Sequence, residues 1–356
     1  MSGTSLDGID VALVRTDGED IVHRGPARTY SYEPDQREML REAIAEAKSL
    51  TDRRARPGCL AATEWALTDW HAIAVESFYQ DCGLTDSEID IIGFHGQTVI
   101  HRPEIRLTVQ LGDGPLLARR LNKPVVYDMR AADVAAGGQG APLVPAYHRA
   151  LAAGLPERPI AFVNIGGVAN VTWIGPDGEM IAFDTGPGNA LIDDWCEKHT
   201  GVAQDTDGLL ASTGTVSEEL LYVALENSYF DRPPPKSLDR NQFSGISLKG
   251  LSLQDGAATL AQFTVSGIML ALDWFPEPPR QWIICGGGRR NPAIMSRFPG
   301  RPEVTLTAEE AGFDGDAMEA EAWAYLAVRS LRGLPLTYPK TTGVPEAITG
   351  GILARP

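Results

Sequence analysis

The chain has 356 residues, enough for two domains of ordinary size or one large α/β domain. Hydrophobic residues make up 43% of it and charged residues 22%, as in an ordinary globular protein. The formal net charge of −16 disfavours binding to nucleic acid or to a membrane surface, although local backbone amides can still hold a phosphate. We find no signal peptide and no apolar run long enough to span a membrane, so we expect a cytoplasmic protein.

The cysteines and histidines do not show the spacing of a metal site. The four cysteines, Cys59, Cys82, Cys196 and Cys285, match neither a zinc clip nor a redox dithiol, and free thiols suit a reducing compartment. Of the six histidines, His95 and His101 are close in sequence but do not form the motif of a zinc protease. These patterns leave the metal ligands unknown.

Short segments rich in Val and Ile alternate with helical patterns, which predicts an α/β fold. The predicted strands are residues 9–14, 89–95, 108–111, 125–127, 160–165, 171–174, 180–183, 282–285 and 304–306. The predicted helices are residues 35–48, 64–81, 190–195, 217–225, 255–272 and 316–331. In the second helix we expect the apolar face to consist of Ala66, Trp70, Ile73, Ala74 and Ser77.

Two segments interrupt these patterns. Residues 155–159 combine proline with charge and predict a break between two halves, and residues 230–235 predict an extended connector on the surface. Each half begins with small residues in a turn beside a strand, at residues 3–8 and 164–170. This weak echo hints at a duplicated α/β domain.

Three loops of small residues follow or precede strands, and they carry the functional prediction. The chain lacks a P-loop, a dinucleotide-binding glycine fingerprint and a nucleophile elbow. The first loop, residues 2–8, offers glycines for close backbone approach and hydroxyls that can donate to phosphate oxygens. Taken alone, each loop is more typical of a bland turn than of a site.

The second loop, residues 184–189, lies between a strand and a helical stretch. A glycine turn at a helix N-terminus can bind an anion, and Asp184 at the strand end suits either a base or a magnesium ligand. The third loop, Gly286 to Gly288, leaves room for a flat ring to lie on the backbone. The order of the three loops resembles that of the phosphate and adenosine motifs in the actin- and hexokinase-like ATPase superfamily.

Longer motifs narrow this resemblance. Residues 1–10 (MSGTSLDGID), 93–98 (GFHGQT), 110–114 (QLGDG) and 137–145 (GGQGAPLVP) are similar to motifs of the anhydro-N-acetylmuramic acid kinases. So are residues 164–170, 183–189, 234–237 and 285–288, and the similarity covers essentially the whole chain. Members of that family usually carry a strand before the first loop. Without it, we expect that loop to be poorly anchored and a sheet edge to be unpaired.

The resemblance implies a duplicated ribonuclease H-like, two-domain α/β fold with an interdomain cleft. Domain I would comprise residues 1–135 and 340–356, and domain II residues 136–339. The activity implied is phosphorylation of 1,6-anhydro-N-acetylmuramic acid by ATP and Mg²⁺, coupled to opening of the anhydro bridge by water, in recycling of the cell wall. A homodimer is implied as well.

The resemblance also assigns roles to particular residues. Asp184 matches the catalytic aspartate, although it could instead cap the following helix. The residues expected at ATP are Ser2, Gly3, Thr4, Ser5, Leu6, Asp7, Gly8, Gly166, Thr185, Gly186, Gly188, Asn189, Gly286, Gly287 and Gly288. Those expected at the sugar are His95, Gln110, Asp113, Arg130, Asp133 and Glu319.

Some of these assignments leave alternatives open. Arg130 suits the lactyl carboxylate of the sugar, because its guanidinium matches a carboxylate bidentately, but Arg130 and Asp133 could simply form a surface pair. Glu319 could be an ordinary charge on a helix face. For the whole protein, the alternatives are a sugar kinase that opens no ring and a non-catalytic, actin-type ATP-binding protein.

Overall fold

A computed structural model of the chain describes residues 1–3, 5–238, 242–243, 245–300 and 304–356. Its strands are β1 (Gly8–Thr16), β2 (Val22–Ser31), β3 (Ile92–Gly93), β4 (Gln97–Arg102), β5 (Leu107–Leu111), β6 (Val125–Tyr127), β7 (Ile160–Ile165), β8 (Val168–Ile174), β9 (Met180–Pro187), β10 (Gln281–Cys285), β11 (Thr305–Thr307) and β12 (Ile352–Ala354). Its α-helices are α1 (Pro34–Ala47), α2 (Leu60–Cys82), α3 (Gly114–Leu121), α4 (Ala131–Ala135), α5 (Pro145–Ala153), α6 (Ala190–Thr200), α7 (Leu209–Thr213), α8 (Glu218–Leu225), α9 (Leu253–Met269), α10 (Pro292–Met295), α11 (Met318–Leu331) and α12 (Pro339–Thr342). The predicted mixed α/β class is confirmed.

The chain forms two compact units. Unit 1 comprises Met1–Ala153 and Ala317–Pro356, and unit 2 comprises Gly154–Asp316. The sequence-based division instead placed residues 136–153 and 317–339 in the second domain. In the structure, α11 contacts β1, β3 and α5, which explains why α5 and α11 both belong to unit 1.

Unit 1 combines an antiparallel hairpin with a small mixed sheet. Strands β1 and β2 pair antiparallel, whereas β3 pairs parallel with β6, and β12 pairs antiparallel with β6. Strands β4 and β5 form a separate antiparallel pair. Helix α11 lies close to β3. A Cβ added to Gly93 would be only 2.2 Å from the carbonyl oxygen of Trp323 in that helix.

The apolar face predicted for the second helix is wrong. Within α2 the buried side chains include Leu67, His71, Ala74 and Phe78, which lie on one side of a helix by their spacing, whereas Ile73 is 48% exposed. Of the five predicted residues, Ala74 alone is buried. The prediction missed His71 because a polar ring was not expected in the core, where its Nδ1 bonds the carbonyl oxygen of Leu67 at 2.8 Å.

Unit 2 contains a five-stranded sheet in the order β11-β10-β7-β8-β9. Strands β7, β10 and β11 are parallel, and β8 runs antiparallel between β7 and β9. Helix α9 contacts β8, β9, α6, α7, α8 and α10. Within the part of the chain that the structure describes, Leu253–Trp274 is the one segment long and apolar enough to cross a membrane. Its most apolar window is 67% buried inside the protein, which is typical of a core helix.

Candidate functional site

In unit 2, the turn between β7 and β8 lies against the second and third loops that the sequence singled out as ATP-binding. The backbone N–H of Asn189 donates to the carbonyl oxygen of Gly166 at 2.7 Å, and that of Gly188 donates to Gly167 at 2.9 Å. The side-chain Nδ2 of Asn189 reaches the carbonyl oxygen of Ile165 at 3.2 Å. The turn between β7 and β8 is therefore joined to the turn between β9 and α6.

Glycine is required at several of these contacts because backbone meets backbone. A Cβ added to Gly188 would lie 2.2 Å from the carbonyl oxygen of Gly166, closer than real Cβ atoms approach. Gly286 has a φ of +72°, and a Cβ there would be 2.3 Å from Oδ1 of Asn164. Gly287 differs, since its nearest neighbour would be Nδ2 of Asn189 at 3.6 Å. The loops thus form a surface largely of backbone.

Asp184 lies on β9, opposite Asn170 of β8. Its Oδ2 accepts a hydrogen bond from the backbone N–H of Leu238 at 2.8 Å. Burial raises the pKa of Asp184 from 3.8 to about 7, and the Leu238 N–H acts in the opposite direction. A carboxyl group with a pKa near neutrality can accept and release a proton under ordinary conditions, as a general base requires.

The other residues of the second turn have internal partners. The N-cap of α6 is Asn189 rather than Asp184, so the capping alternative for Asp184 is not what the structure shows. The Thr185 hydroxyl is buried and donates to the carbonyl oxygen of Ala169 at 3.2 Å. The Thr264 hydroxyl of α9 donates to the carbonyl oxygen of Gly188 at 2.9 Å and fixes the turn from the other side.

The first loop belongs to unit 1 and is held through Ser2. The buried Ser2 hydroxyl donates to Oε1 of Gln97 at 2.6 Å and also lies 2.8 Å from the Tyr32 hydroxyl. Met1 and Asp10 exchange two backbone hydrogen bonds, of 2.8 and 2.9 Å. This anchoring differs from the expectation of a poorly held loop.

The rest of the first loop is more open. Ser5 and Asp7 are exposed, and the Ser5 hydroxyl donates to the Asp7 carboxylate at 2.7 Å. Leu6 has a φ of +55°, and Gly3 and Gly8 flank the turn. Thr4, also expected at ATP, lies outside the described residues. Among the described residues, the edge of β1 away from β2 carries no strand beyond an isolated bridge from Ser2 to Ile9.

All six residues predicted to bind the sugar belong to unit 1, and His95 contacts Arg130. Nδ1 of His95 lies 2.9 Å from the carbonyl oxygen of Ser2, which can only accept, so Nδ1 carries the proton. Nε2 can then accept from Nη2 of Arg130 at 3.3 Å. Burial, followed by the charge of Arg130, holds the pKa of His95 well below its ordinary value, so the ring is neutral.

Arg130 is fixed from several sides. Its Nη1 donates to the carbonyl oxygen of Gly140 at 2.9 Å, and its guanidinium carbon lies 5.3 Å from the centre of the Trp323 ring. The charges of Glu319 and Asp133 oppose the lowering of the Arg130 pKa by burial. Glu319 itself is exposed in the first turn of α11.

Asp133 and Asp113 use their carboxylates within the protein. Asp133 is 1% exposed, and its two oxygens accept from the backbone N–H of Gly140 and the hydroxyl of Thr342, both at 2.6 Å. The alternative of a surface pair between Arg130 and Asp133 therefore does not describe Asp133. Asp113 is the N-cap of α3 and accepts from the backbone N–H of Leu116 at 2.8 Å.

Gln110 and His95 line a recess of about 300 Å³ in unit 1. Nε2 of Gln110 donates to the hydroxyl of Thr108 at 2.9 Å, whereas its buried Oε1 has no hydrogen-bond partner within the described ranges. An unpaired buried acceptor beside a cavity is suited to a ligand hydroxyl or amide. Sequence reasoning missed the other polar residues of this recess, which are Arg53, Arg54, Arg56, Glu64, Tyr127 and Asp128.

The described residues hold no cluster of three or more His, Cys, Asp or Glu side chains that could bind a metal ion.

Two of the arginines of the recess are already paired, Arg53 with Asp128 and Arg56 with Glu64. Sequence motifs could not have revealed the pair of Arg53 with Asp128, because these residues are 75 positions apart.

Comparison with known proteins identifies the family of the chain. The family model described as anhydro-N-acetylmuramic acid kinase matches residues 1–355. The anhydro-N-acetylmuramic acid kinase of Agrobacterium fabrum is 52% identical over 362 residues, which cover 100% of this chain and 97% of that protein. The proteins of the same name from Bradyrhizobium diazoefficiens and Nitrobacter winogradskyi are each 53% identical over 359 residues, 100% of this chain and 98% of theirs. The chain therefore belongs to the anhydro-N-acetylmuramic acid kinase family.

Proposed function

We propose that this kinase transfers the γ-phosphoryl group of ATP to 1,6-anhydro-N-acetylmuramic acid while water opens the anhydro bridge, giving N-acetylmuramic acid 6-phosphate. The observation that carries the coupled ring opening is Asp184, a carboxyl group whose pKa burial raises to about 7. A plain transfer to an existing hydroxyl would also profit from a base, so the distinguishing claim concerns which proton Asp184 removes.

The proposed reaction balances in one sequence of bonds. Water attacks the anomeric carbon of the sugar as its proton passes to the Asp184 carboxylate, and the bond from that carbon to the bridge oxygen breaks. The bridge oxygen keeps the electron pair and attacks the γ-phosphorus, and ADP leaves. General-base help of this kind is typically worth 10²–10⁴-fold in rate.

We assign the ATP phosphates to the backbone of the first and second loops and the adenosine to Gly286 to Gly288. The support for this is that glycines in these loops leave the backbone uncovered by side chains, which lets a phosphate or a flat ring approach it closely. Thr185 would support the second loop through its bond to Ala169 rather than by contacting ATP. We propose that magnesium enters as its complex with ATP, which needs at most one or two protein carboxylates.

We assign the sugar to His95, Gln110 and Arg130, with the lactyl carboxylate on Arg130. The unpaired Oε1 of Gln110 and the recess it lines support this assignment. Asp113 and Asp133 would act on the sugar indirectly, since the first caps α3 and the second holds the loop at Gly140. Glu319 would stabilise the charged guanidinium of Arg130.

Replacing Arg130 with Ala should raise the Michaelis constant for the sugar more than that for ATP. Loss of a charge-assisted, bidentate contact should cost about 2 kcal/mol, roughly thirtyfold in affinity. Arg130→Lys is the matched control, because it keeps the charge but lacks the planar fork. Steady-state kinetics with each substrate varied measures both constants. An unchanged Michaelis constant for the sugar together with a raised one for ATP would show that the assignment of Arg130 to the sugar is wrong.

Beyond the chemistry, we propose the duplicated ribonuclease H-like fold. Its support is that both units contain an antiparallel hairpin and a parallel strand pair, which share one sheet in unit 2 (β7–β8 with β10 and β11) and form two separate sheets in unit 1 (β1–β2, and β3 with β6). We also propose that the functional domains follow residues 1–135 with 340–356 and 136–339 only approximately. We further propose that the protein is a homodimer in the cytoplasm and that it acts in the recycling of peptidoglycan fragments. We expect it to bind neither nucleic acid nor a membrane.

The product mass tests this function. With purified protein, ATP, Mg²⁺ and the anhydro sugar, we expect one product heavier than the sugar by a phosphoryl group and one water. A product heavier by a phosphoryl group alone would identify a kinase that leaves the ring closed. ADP without sugar product would favour a protein that binds and slowly hydrolyses ATP.

A further inference from the structure

The segment from Tyr229 to Leu238 contacts Asp184 at three points. The hydroxyl of Tyr229 donates to the carbonyl oxygen of Asp184 at 2.6 Å. The backbone N–H of Asp184 donates to the carbonyl oxygen of Lys236 at 3.0 Å, and its carboxylate accepts from the N–H of Leu238. Both the backbone and the carboxylate of Asp184 are thus held by a stretch of chain that lies outside the sheet.

Lys236 ties the two ends of this segment together. It is 9% exposed, and its Nζ donates to the carbonyl oxygens of Tyr229 and Phe230 at 3.1 and 3.2 Å. The ammonium lies 4.8 Å from the centre of the Tyr229 ring, and 5.5 and 5.6 Å from those of Trp274 and Phe183. A buried cation among rings and carbonyls orders its neighbours, because each of these contacts loses strength if the chain moves.

Aromatic packing stabilises the segment from Tyr229 to Leu238. The Phe230 ring lies 5.6 Å from Phe243 and 5.9 Å from Phe263 of α9, centre to centre. A Cβ added to Gly186 would be 3.3 Å from the same ring. Phe230 therefore connects the segment both to the core helix and to the turn that follows Asp184.

We propose that Lys236 and Tyr229 are positioning residues for Asp184, which hold the Leu238 N–H and the Asp184 backbone in the geometry that the base needs. The inference rests on the proposed role of Asp184. Neither side chain has to touch the sugar or ATP, since both act through the backbone of residues 184 and 238. We call this set, Tyr229, Lys236 and Leu238, the Asp184 clamp.

The clamp should set the protonation of Asp184 as well as its place. The Leu238 N–H favours the ionised carboxylate, so losing it should raise the Asp184 pKa further. Burial, followed by the charge of Asp184, raises the pKa of Tyr229. Burial lowers the pKa of Lys236 to about 8, which the charge of Asp231 opposes and that of Arg232 reinforces. The elements that pack near Asp184 add no further charge: β8 places the neutral Asn170 opposite it, and α9 has no charged residue after Asp255.

The test is the dependence of kcat on pH for Lys236→Met, with Lys249→Met as the control for an exposed lysine of the same unit. We expect kcat at neutral pH to fall roughly tenfold, the usual scale for one hydrogen bond to a charged group. We also expect the acid limb of the profile to move to higher pH by about one unit. The Michaelis constants of both substrates should stay within about twofold, and Lys249→Met should match the unsubstituted protein.

A second variant covers the case in which Lys236→Met unfolds. Tyr229→Phe keeps the ring and its contact with Lys236 and removes one hydroxyl, so it should fold and lose kcat by about threefold or more. Alternatively, the variants that fold keep the native kcat and pH profile while Asp184→Asn is inactive. That result would contradict the positioning role of the clamp and leave Asp184 as the base. Tyr229→Phe decides alone if Lys236→Met does not fold. If Asp184→Asn is itself active, the proposed function fails, and the clamp fails with it.

Discussion

Asp184→Asn should lower kcat by at least about a hundredfold, because general-base contributions are typically of that size or larger. Asparagine cannot take a proton from water, so attack at the anomeric carbon loses its base. Without that attack the bridge oxygen develops no negative charge and is a poor acceptor for the phosphoryl group. Ring opening and phosphorylation should therefore fail together. Single-turnover assays that follow ADP and sugar phosphate in parallel measure both.

The fold should survive this substitution. Asparagine has the size of aspartate, and its amide oxygen can accept from the Leu238 N–H as the carboxylate does. The sign of the stability change follows from the pKa. The folded value is raised from 3.8 to about 7, so the stability that burial of the neutral carboxyl brings is present at acid pH and is lost as the pH rises through 7.

Asp184→Asn should accordingly gain stability over the unsubstituted protein above pH 7 and gain little at pH 4. Thermal unfolding at several pH values checks this. A variant that makes sugar phosphate at a near-native rate would remove Asp184 from the mechanism.

Gly188→Ala should have the second large effect. Its new methyl group would lie 2.2 Å from the carbonyl oxygen of Gly166, and neither strand of backbone can yield without breaking the hydrogen bonds that join the two turns. Overpacking of this kind costs up to about 3 kcal/mol of folding stability. If the turns separate to relieve it, we expect kcat/KM for ATP to fall by up to roughly a hundredfold. The Michaelis constant for the sugar should change much less, since its proposed contacts lie in unit 1.

Gly245→Ala is the matched control for this prediction, because Gly245 lies in unit 2 but outside the three loops. A Cβ at Gly245 meets no atom within 4 Å, so the substitution should leave kcat/KM for ATP within about threefold of the native value. Kinetics with ATP varied at saturating sugar compare the two variants. Equal effects of the two substitutions would mean that the contact between the turns does not shape the ATP site.

The loops could be predicted from the sequence because their chemistry is local. A glycine turn between a strand and a helix is visible in residues 184–189, although in the structure β9 continues to Pro187, so only Gly188 and Asn189 lie between β9 and α6. Which glycine is indispensable could not be predicted, because the atom that excludes a side chain at Gly188 belongs to Gly166, on another turn.

The clamp was invisible for the same reason. Leu238 lies 54 positions after Asp184, and the resemblance of residues 234–237 to a family motif says nothing of a contact between Lys236 and Asp184. The burial of Lys236 depends on Tyr229, Trp274 and Phe183, which come together only in the folded unit.

The prediction of secondary structure failed where side chains are weakly buried or where the apolar pattern is ambiguous. Strand β2 was not predicted, because most of its side chains are at least partly exposed and it lacks a clear apolar alternation. The strand expected at residues 89–95 shrinks to Ile92–Gly93, since only that part pairs with β6. The face of α2 was misplaced because Trp70 and Ile73 are apolar but not buried, whereas the buried stripe includes Thr68 and His71.

Isotope-labelled water tests the central claim, the coupling of ring opening to phosphoryl transfer, most directly. The reaction is run in ¹⁸O water, and the sugar phosphate is fragmented in a mass spectrometer. We predict one labelled oxygen at the anomeric carbon of the sugar and none in the phosphoryl group, because water attacks carbon and the bridge oxygen receives the phosphate. A sugar phosphate without label, or with the label in its phosphoryl group, would contradict the account.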